Sequence, residues 1–316
     1  MVAQFFFGDL LSTGSGKLRT GIESNDQEEN QQSAHEEAFR IGDEITHKGP
    51  ILHICIHLST AFISRPRRYI ESMILTPEIL AGLRRDTLVV FFTGAGISAE
   101  SGLSTFRDVD GYWARYDPTQ LASPDGFRRD PELVLSWYAH RRESALNAQP
   151  NAGHKSISDF QKLFQHAVVI TQNVDGLHAR AGNREIIELH GNLHRFKCFR
   201  CGQPLSAPCG EAAVSCQCGG PGRPDVVWFG ENLDPGQLQA ALDATHHCGL
   251  FFSIGTSSQV YPAAQLPLEA KRAGARVIEI NPHLTPMSAM ADLTIQAAAG
   301  ETLPTLYREI HEALAV

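Results

Sequence analysis

The sequence predicts an α/β fold with a parallel sheet, and two features of its patterning carry that prediction. The first is a set of four short β-prone runs, Leu88–Phe92, Ala167–Ile170, Leu250–Ile254 and Arg276–Ile280, rich in Val, Ile and Phe. Strands covered by helices on both faces read this way, as near-continuous apolar stretches. The second is the helix-like character of the stretches between them, such as 130–147 and 262–273. Strands that alternate with helices point to a parallel sheet. Each run ends in small or polar residues: TGAGIS, TQNVDGLH, GTSSQVYPAA and NPH. Ligands of such sheets bind beyond the carboxyl ends of the strands, so these four loops are expected to form one site.

Composition bounds the rest. The chain has 316 residues, 42% hydrophobic and 20% charged, enough for one large domain or two modest ones with a sizeable core. The formal net charge is −8 and no long Lys/Arg block occurs, which argues against nucleic acid as a partner. No apolar run reaches the ~18 residues of a membrane span, so no membrane association is expected. The opening MVAQFFFGDLLSTG lacks the basic start and cleavage site of a signal peptide. Five of the seven cysteines, Cys198, Cys201, Cys209, Cys216 and Cys218, crowd one stretch, away from Cys55 and Cys248. That is unlike a secreted disulfide framework and closer to a zinc site in a reducing compartment. A cytoplasmic monomer is expected.

Taken in order, residues 1–72 differ from the rest. Residues 22–46 are polar and acidic and resemble a disordered linker, whereas 50–64 are apolar but short, interrupted by His53 and His57. At Met73 the pattern sharpens, and 73–316 reads as one domain. Because Met73 stands where that domain begins, one expectation is that the first 72 residues come from an over-extended gene model. Intact mass of the natively expressed protein tests it. Leu75–Arg85 is predicted to be an amphipathic helix, capped by Thr76, with Pro77 and Glu78 in its first turn.

After the first strand, Gly94-Ala95-Gly96-Ile97-Ser98-Ala99 fits G-x-G-x-x-A. Such glycines permit a tight turn and close approach of a pyrophosphate to backbone N–H groups. A dehydrogenase would next show a second strand with an acidic residue about 20 positions on. Here the chain runs instead through Ser101–Asp108 to Gly111-Tyr112-Trp113, which suggests a long loop folding over the nucleotide and disfavours hydride transfer.

GAGISAESGLSTFRD is similar to the signature of the sirtuin family of NAD-dependent protein deacylases. The match continues in order through TQNVDGLH (171–178), ELHGNL (188–193), PDVVWFGE (224–231), GTSSQVYPAA (255–264) and EINP (279–282), and covers about residues 75–316. The resemblance implies a Rossmann-like parallel sheet with a small zinc-binding module and a helical insertion. It implies that Gly94, Ala95, Gly96, Ser98, Glu100, Phe106 and Arg107 cradle NAD. Gln172, Asn173 and Asp175 would hold the nicotinamide and its ribose, with Asn173 and Asp175 also catalytic. Gly255, Thr256, Ser257 and Asn281 would take the adenosine end. His190 would be the general base. Val227, Phe229, Gly230 and Glu231 would pair with the substrate peptide and line the acyl-lysine tunnel.

The implied chemistry suits these residue types. Nicotinamide leaves the ribose, the acyl oxygen takes its place, and a base then activates a ribose hydroxyl. Water must be excluded and the partners aligned, which is largely a positioning task. A histidine with a pKa near ~6.5 can serve as base at neutral pH. The products would be free lysine, nicotinamide and O-acyl-ADP-ribose. Transfer of ADP-ribose to protein is the competing enzymatic reading, and an NAD-sensing module the non-enzymatic one.

Cys198-Phe199-Arg200-Cys201 is C-x-x-C, and Cys216-Gln217-Cys218 follows. Four thiolates satisfy tetrahedral zinc, and a loop-rich excursion, about 195–223, would gain its stability from the metal. Family resemblance marks Cys218 as the last ligand. Sirtuins usually place two residues within that final pair, so the C-x-C spacing is a departure. Cys216 is taken as the third ligand, with Cys209 the alternative. No acid or base stands among these cysteines, so the zinc reads as structural.

Within 130–147, Tyr138 and Arg141 stand at i, i+3 and so share one helix face. An Arg fork beside a Tyr hydroxyl can bind a carboxylate. The pair resembles the Tyr-x-x-Arg of sirtuins that remove succinyl and malonyl groups, and the small Ala99 fits that subclass by leaving room for a longer acyl chain.

Overall fold

The computed structural model describes residues 73–104, 117–206 and 215–315. The expectations for residues 1–72, and those placed on Phe106, Arg107 and Cys209, lie outside the described residues.

In chain order the first part comprises α1 (Pro77–Leu80), β1 (Leu88–Thr93), α2 (Gly96–Ala99), α3 (Pro118–Leu121), α4 (Pro124–Arg129), α5 (Pro131–Asn147), α6 (Ala152–Leu163), β2 (His166–Thr171), α7 (Leu177–Arg180) and β3 (Ile186–Glu188). Then follow β4 (Gly191–Cys198), β5 (Pro204–Leu205), β6 (Gly222–Val226), α8 (Pro235–His247), β7 (Leu250–Ile254), α9 (Leu266–Arg272), β8 (Arg276–Ile280), β9 (Leu293–Ile295) and α10 (Ala299–Ala313).

The main sheet has the order β3-β2-β1-β7-β8-β9, and every pairing in it is parallel. The chain steps outward from β1 to β3, then returns to the other side of β1 and steps outward again. The carboxyl ends of β1 and β7 therefore flank the point where the winding reverses, which is where open α/β sheets bind ligands.

Period-two alternation divides the strand side chains between two cores. Val89 and Phe91 join Ile157 and Phe160 of α6 and Leu303, Leu306 and Ile310 of α10. Val90 and Phe92 join Ala241 of α8 and Leu266 and Ala270 of α9. Phe91 stacks on Phe252 with ring centroids 5.0 Å apart and planes 2° from parallel. Truncating such a buried ring costs about 3–5 kcal/mol. A third core joins α4, α5, β4 and β6 through Phe127, Trp137, Tyr138, Leu193, Val226 and Trp228. It seats the helical insertion against the small antiparallel sheet β5-β4-β6.

Two expected helices are corrected. The one expected over Leu75–Arg85 is only α1, because Gly82 adopts φ 84° and turns the chain away after one turn. The stretch 262–273 begins as a 3-10 turn, Ala263–Gln265, before α9. Pro267 lacks an N–H and suits a first helical turn rather than an interior one. By contrast α5 spans nearly the whole expected segment. Asp130 caps it by accepting from Leu133 N at 3.0 Å, and Pro131 occupies the first turn.

Candidate active site

The site is built from the loops after β1, β2, β7 and β8, as their shared polarity predicts. Gly94 N donates to the Ile254 carbonyl and Gly96 N to that of Gly255, each under 3 Å. A Cβ on Gly94 would lie 2.7 Å from Gly255 O, and one on Gly96 2.7 Å from Gly255 Cα. Gly255 has φ +57°, and its Cβ would meet Ile97 N at 2.5 Å. These glycines let the β1 and β7 loops pack backbone to backbone across the winding reversal, and the N–H groups of Gly94 and Gly96 serve that junction.

Below it lies a buried polar cluster. Ser98 Oγ donates to Asp175 Oδ2 at 2.7 Å, and Leu177 N donates to Asp175 Oδ1 at 2.8 Å. Asn173 Nδ2 donates to the Gly94 carbonyl at 2.9 Å and to Ser98 Oγ at 3.2 Å. Ser98, Asn173 and Asp175 are all buried. The cluster ties α2 to the β2 loop and fixes the direction of the Asn173 and Asp175 side chains. It extends to His194, whose Nε2 donates to the Asp175 carbonyl at 2.9 Å. Toward the β7 loop, Gln172 Nε2 donates to Thr256 Oγ1 and Asn281 Nδ2 to the Thr256 carbonyl, both at 2.8 Å. Ser257 follows on the same loop, and the buried Ser258 Oγ is without a protein partner. Hydroxyls, amides and a carboxylate gathered at a winding reversal fit a polar dinucleotide.

His190 is held by one contact that settles its chemistry. Its Nδ1 lies 3.0 Å from the Gln172 carbonyl. A carbonyl only accepts, so Nδ1 carries the hydrogen and Nε2 keeps its lone pair. Burial lowers the imidazole pKa below its usual value of 6.5, against a smaller upward pull from the Gln172 carbonyl. The ring is therefore neutral near pH 7, with a basic nitrogen free to take a proton.

The His190 carbonyl also accepts from Val227 N at 2.9 Å, and Phe229 N donates to the Ala122 carbonyl at 2.8 Å. Gly230 turns the chain with φ 87°. The Glu231 carboxylate is turned back into the protein. It takes a bidentate contact from Arg223, at 2.6 and 3.0 Å, and caps Trp228 N at 2.9 Å. Burial alone would raise its pKa, but the hydrogen bonds and charge of Arg223 outweigh that and hold it below the usual carboxylate value. Arg223 is itself buried, with its guanidinium 3.3 Å from the centre of the Trp228 ring. Glu231 thus braces the Val227–Gly230 segment through Arg223, a residue that no local spacing marks.

On α5, Tyr138 is buried against Trp137 and Trp228, with centroids 4.7 and 6.2 Å away. Burial pushes its hydroxyl up to about 12. The Arg141 guanidinium sits 4.8 Å from the centre of the Trp137 ring. Burial lowers its pKa, while Tyr138 and Asp175 oppose the shift electrostatically. Arg141 thus lies within electrostatic reach of both Tyr138 and Asp175. Ala99 is exposed at the end of α2. The Glu100 carboxylate accepts from Gly300 N.

The sulfur atoms of Cys198, Cys201, Cys216 and Cys218 lie within 4.8 Å of one another. Arg200 N donates to Cys198 Sγ at 3.3 Å and Gly220 N to Cys218 Sγ at 3.4 Å, which favours thiolates. Four thiols so placed are suited to a structural zinc, with no coordination position left for a substrate.

A Sir2 family model matches residues 94–262. The NAD-dependent protein deacylase 2 of Pyrobaculum aerophilum is 49% identical over 240 residues, 75% of this chain and 95% of that protein. This chain belongs to the Sir2 family. The NAD-dependent protein deacylase of Aquifex aeolicus is 45% identical over 228 residues, covering 71% of this sirtuin and 95% of the relative. Among solved structures, a Sir2 homolog–NAD complex aligns with TM-score 0.70 at 44% identity, over 75% of this sirtuin and 93% of that chain. A Sir2 bound to acetylated peptide aligns with TM-score 0.64 at 30% identity, over 73% of this sirtuin and 95% of that chain. Among the described residues of this sirtuin, no helix is long and apolar enough to cross a membrane.

Proposed function

We propose that this sirtuin is an NAD-dependent protein-lysine deacylase that removes succinyl, malonyl and acetyl groups. The observation that carries the reading is His190, neutral and presenting Nε2 because Nδ1–H is spent on the Gln172 carbonyl. A deacylase needs a base at that place; a module that only binds a nucleotide does not. When bound, NAD supplies the ADP-ribose that accepts the acyl group as nicotinamide departs.

The chain's residues do the rest. Thr256, Ser257 and Asn281 form the polar wall of the adenosine side, and Gln172, bonded to Thr256, leads from it to the nicotinamide ribose. Asn173 and Asp175, oriented by Ser98 and Gly94, face the nicotinamide end. His190 Nε2 takes the proton from a ribose hydroxyl. Val227–Gly230 pairs with the peptide as a strand, and Arg141 with Tyr138 receives the distal carboxylate of an acidic acyl group. Cys198, Cys201, Cys216 and Cys218 hold one structural zinc. The partners are acylated lysines of proteins, not nucleic acid or membrane, and the enzyme acts as a cytoplasmic monomer.

Mass spectrometry with NAD and matched acetyl-lysine and succinyl-lysine peptides tests this, beside His190→Tyr. Removal of both groups, lost in the variant, is the expected result. Removal of acetyl alone would overturn the acidic-acyl reading. Appearance of ADP-ribosylated protein without O-acyl-ADP-ribose would overturn the deacylase reading.

A further inference from the structure

Three helix ends meet beside the nucleotide loop. The short α2 ends at Glu100, whose two carboxylate oxygens accept from Gly300 N at 2.9 and 3.0 Å. Gly300 is the second residue of α10, a 15-residue helix. The cap of α6, Asn151, sends its Nδ2 to the Ile97 carbonyl at 2.7 Å and to Ser101 Oγ at 2.9 Å. Its Oδ1 meanwhile accepts from Gly153 N at 2.9 Å. The starts of α6 and α10 press together, since a Cβ on Gly153 would lie 3.4 Å from Ala299 C and Gly300 N.

The amino-terminal ends of α6 and α10 therefore converge on α2. Helix amino termini carry partial positive charge, so a carboxylate is the side chain that best joins them. A four-residue helix has little stability of its own. Its orientation must come from such ties. The same helix carries Ser98, which orients Asp175.

We propose that Glu100 is a positioning residue: it sets the affinity for NAD by pinning α2 to the start of α10. The inference rests on the NAD site assigned above. Glu100 acts through Gly300 N–H and Ser98, with no need to touch the nucleotide itself. The nearby Asn151 tie holds the other side of α2, so loss of Glu100 tilts the helix rather than unfolding it.

Steady-state kinetics and NAD titration calorimetry on the full chain test this with Glu100→Ala, Glu100→Gln, Gly300→Pro and the Glu100→Ala/Gly300→Pro pair. Proline suits a first helical turn and removes the donor N–H. The one atom a Cβ at Gly300 would crowd within 3 Å is the Glu100 carboxylate, which the paired variant removes. Glu100→Ala is expected to raise both Kd and KM for NAD about three- to tenfold, the worth of one charge-assisted hydrogen bond with partial compensation. The KM for acyl-peptide should stay within about twofold, because the peptide segment is untouched, while kcat falls by no more than the NAD Kd rises, because Asp175 feels the change only through Ser98. Gly300→Pro should match it, the pair should be no worse than either alone, and Glu100→Gln, whose amide oxygen still accepts, should recover most of the affinity.

An unchanged NAD Kd in Glu100→Ala would overturn the proposal. So would a lowered Tm without that change, which would mark a purely structural tie, or additive losses in the pair. A wild-type chain that fails to bind NAD would overturn the site assignment as well. Wild-type binding with an indifferent Glu100→Ala overturns this inference alone.

Discussion

Ser98 Oγ donates to Asp175 Oδ2 across 2.7 Å, joining the first residue cluster of the nucleotide loop to the loop after β2. Seventy-seven residues separate them in sequence, and both are buried. A hydrogen bond to a buried carboxylate is worth about 1.5–3 kcal/mol. Ser98→Ala releases Asp175 on one side and withdraws the Asn173 Nδ2 partner at 3.2 Å. Its kcat/KM for NAD is expected to fall roughly ten- to a hundredfold, the same energy read as a rate. Initial-rate assays check it, and retention of activity would show that Leu177 N alone orients Asp175.

The pH response follows from burial of imidazoles. His190 must be neutral to take a proton, and burial keeps its pKa below 6.5. Activity is therefore expected to be flat through neutrality and to fall only on the acid side, below the ordinary imidazole value. Stability should move with it for a separate reason. His154 and His178 are buried, their rings 4.9 Å apart. Burial lowers His178 well below 6.5 and His154 to about 4. Because the folded pKa is depressed, the unfolded chain binds protons first. The contribution is complete above 6.5 and is lost as pH falls toward 4, roughly 3 kcal/mol from a shift of this size. Urea midpoints measured between pH 7 and 4 should drop steeply for the wild type and less steeply for His154→Leu.

Much of this was legible in the sequence, and the parts that were not share a cause. Strands β7 and β8 match the expected runs residue for residue, because strands buried on both faces leave a continuous apolar record. The four polar strand ends do meet at one edge, since parallel order forces it. Helix α1 was obscured by Gly82: a glycine in a periodic pattern is compatible with continuation or with a turn, and only tertiary packing decides. Arg223, Asn151 and His194 escaped because their partners lie far off in sequence or across a turn, where spacing carries no signal. Glu231 shows the limit of motif matching. The motif marks the position, yet only the structure shows its carboxylate turned inward to Arg223.

Arg141 and Tyr138 allow acyl preference to be separated from catalysis. Arg141 lies against Trp137 and within electrostatic reach of Asp175, while Tyr138 is packed beneath Trp228. Arg141→Met keeps the apolar stem and removes the charge. Desuccinylation is expected to fall at least tenfold, since about 1.5–3 kcal/mol of charge-assisted bonding is lost, while deacetylation changes by less than about threefold. Parallel assays on succinyl- and acetyl-peptides decide it. Equal losses would mean that Arg141 supports the helix rather than the acyl group.

The thiol cluster yields the last expectation, and it concerns the C-x-C departure. Cys201 Sγ lies 3.7 Å from Cys216 Sγ, and Cys198 Sγ lies 3.5 Å from Cys218 Sγ, so each thiol of the C-x-x-C pair faces one of the C-x-C pair. Zinc at their centre would stabilise a module whose own sheet includes a strand of only two residues, β5. Metal binding to such modules couples directly to folding. The purified protein is expected to release one zinc per chain on thiol modification, measured with a colorimetric chelator. Cys216→Ala and Cys218→Ala should each lose the metal and become sensitive to protease in the module. Cys209→Ala should keep both metal and protease resistance. A zinc content that survives Cys216→Ala but not Cys209→Ala would reassign the third ligand and leave the C-x-C pair split between coordination and packing.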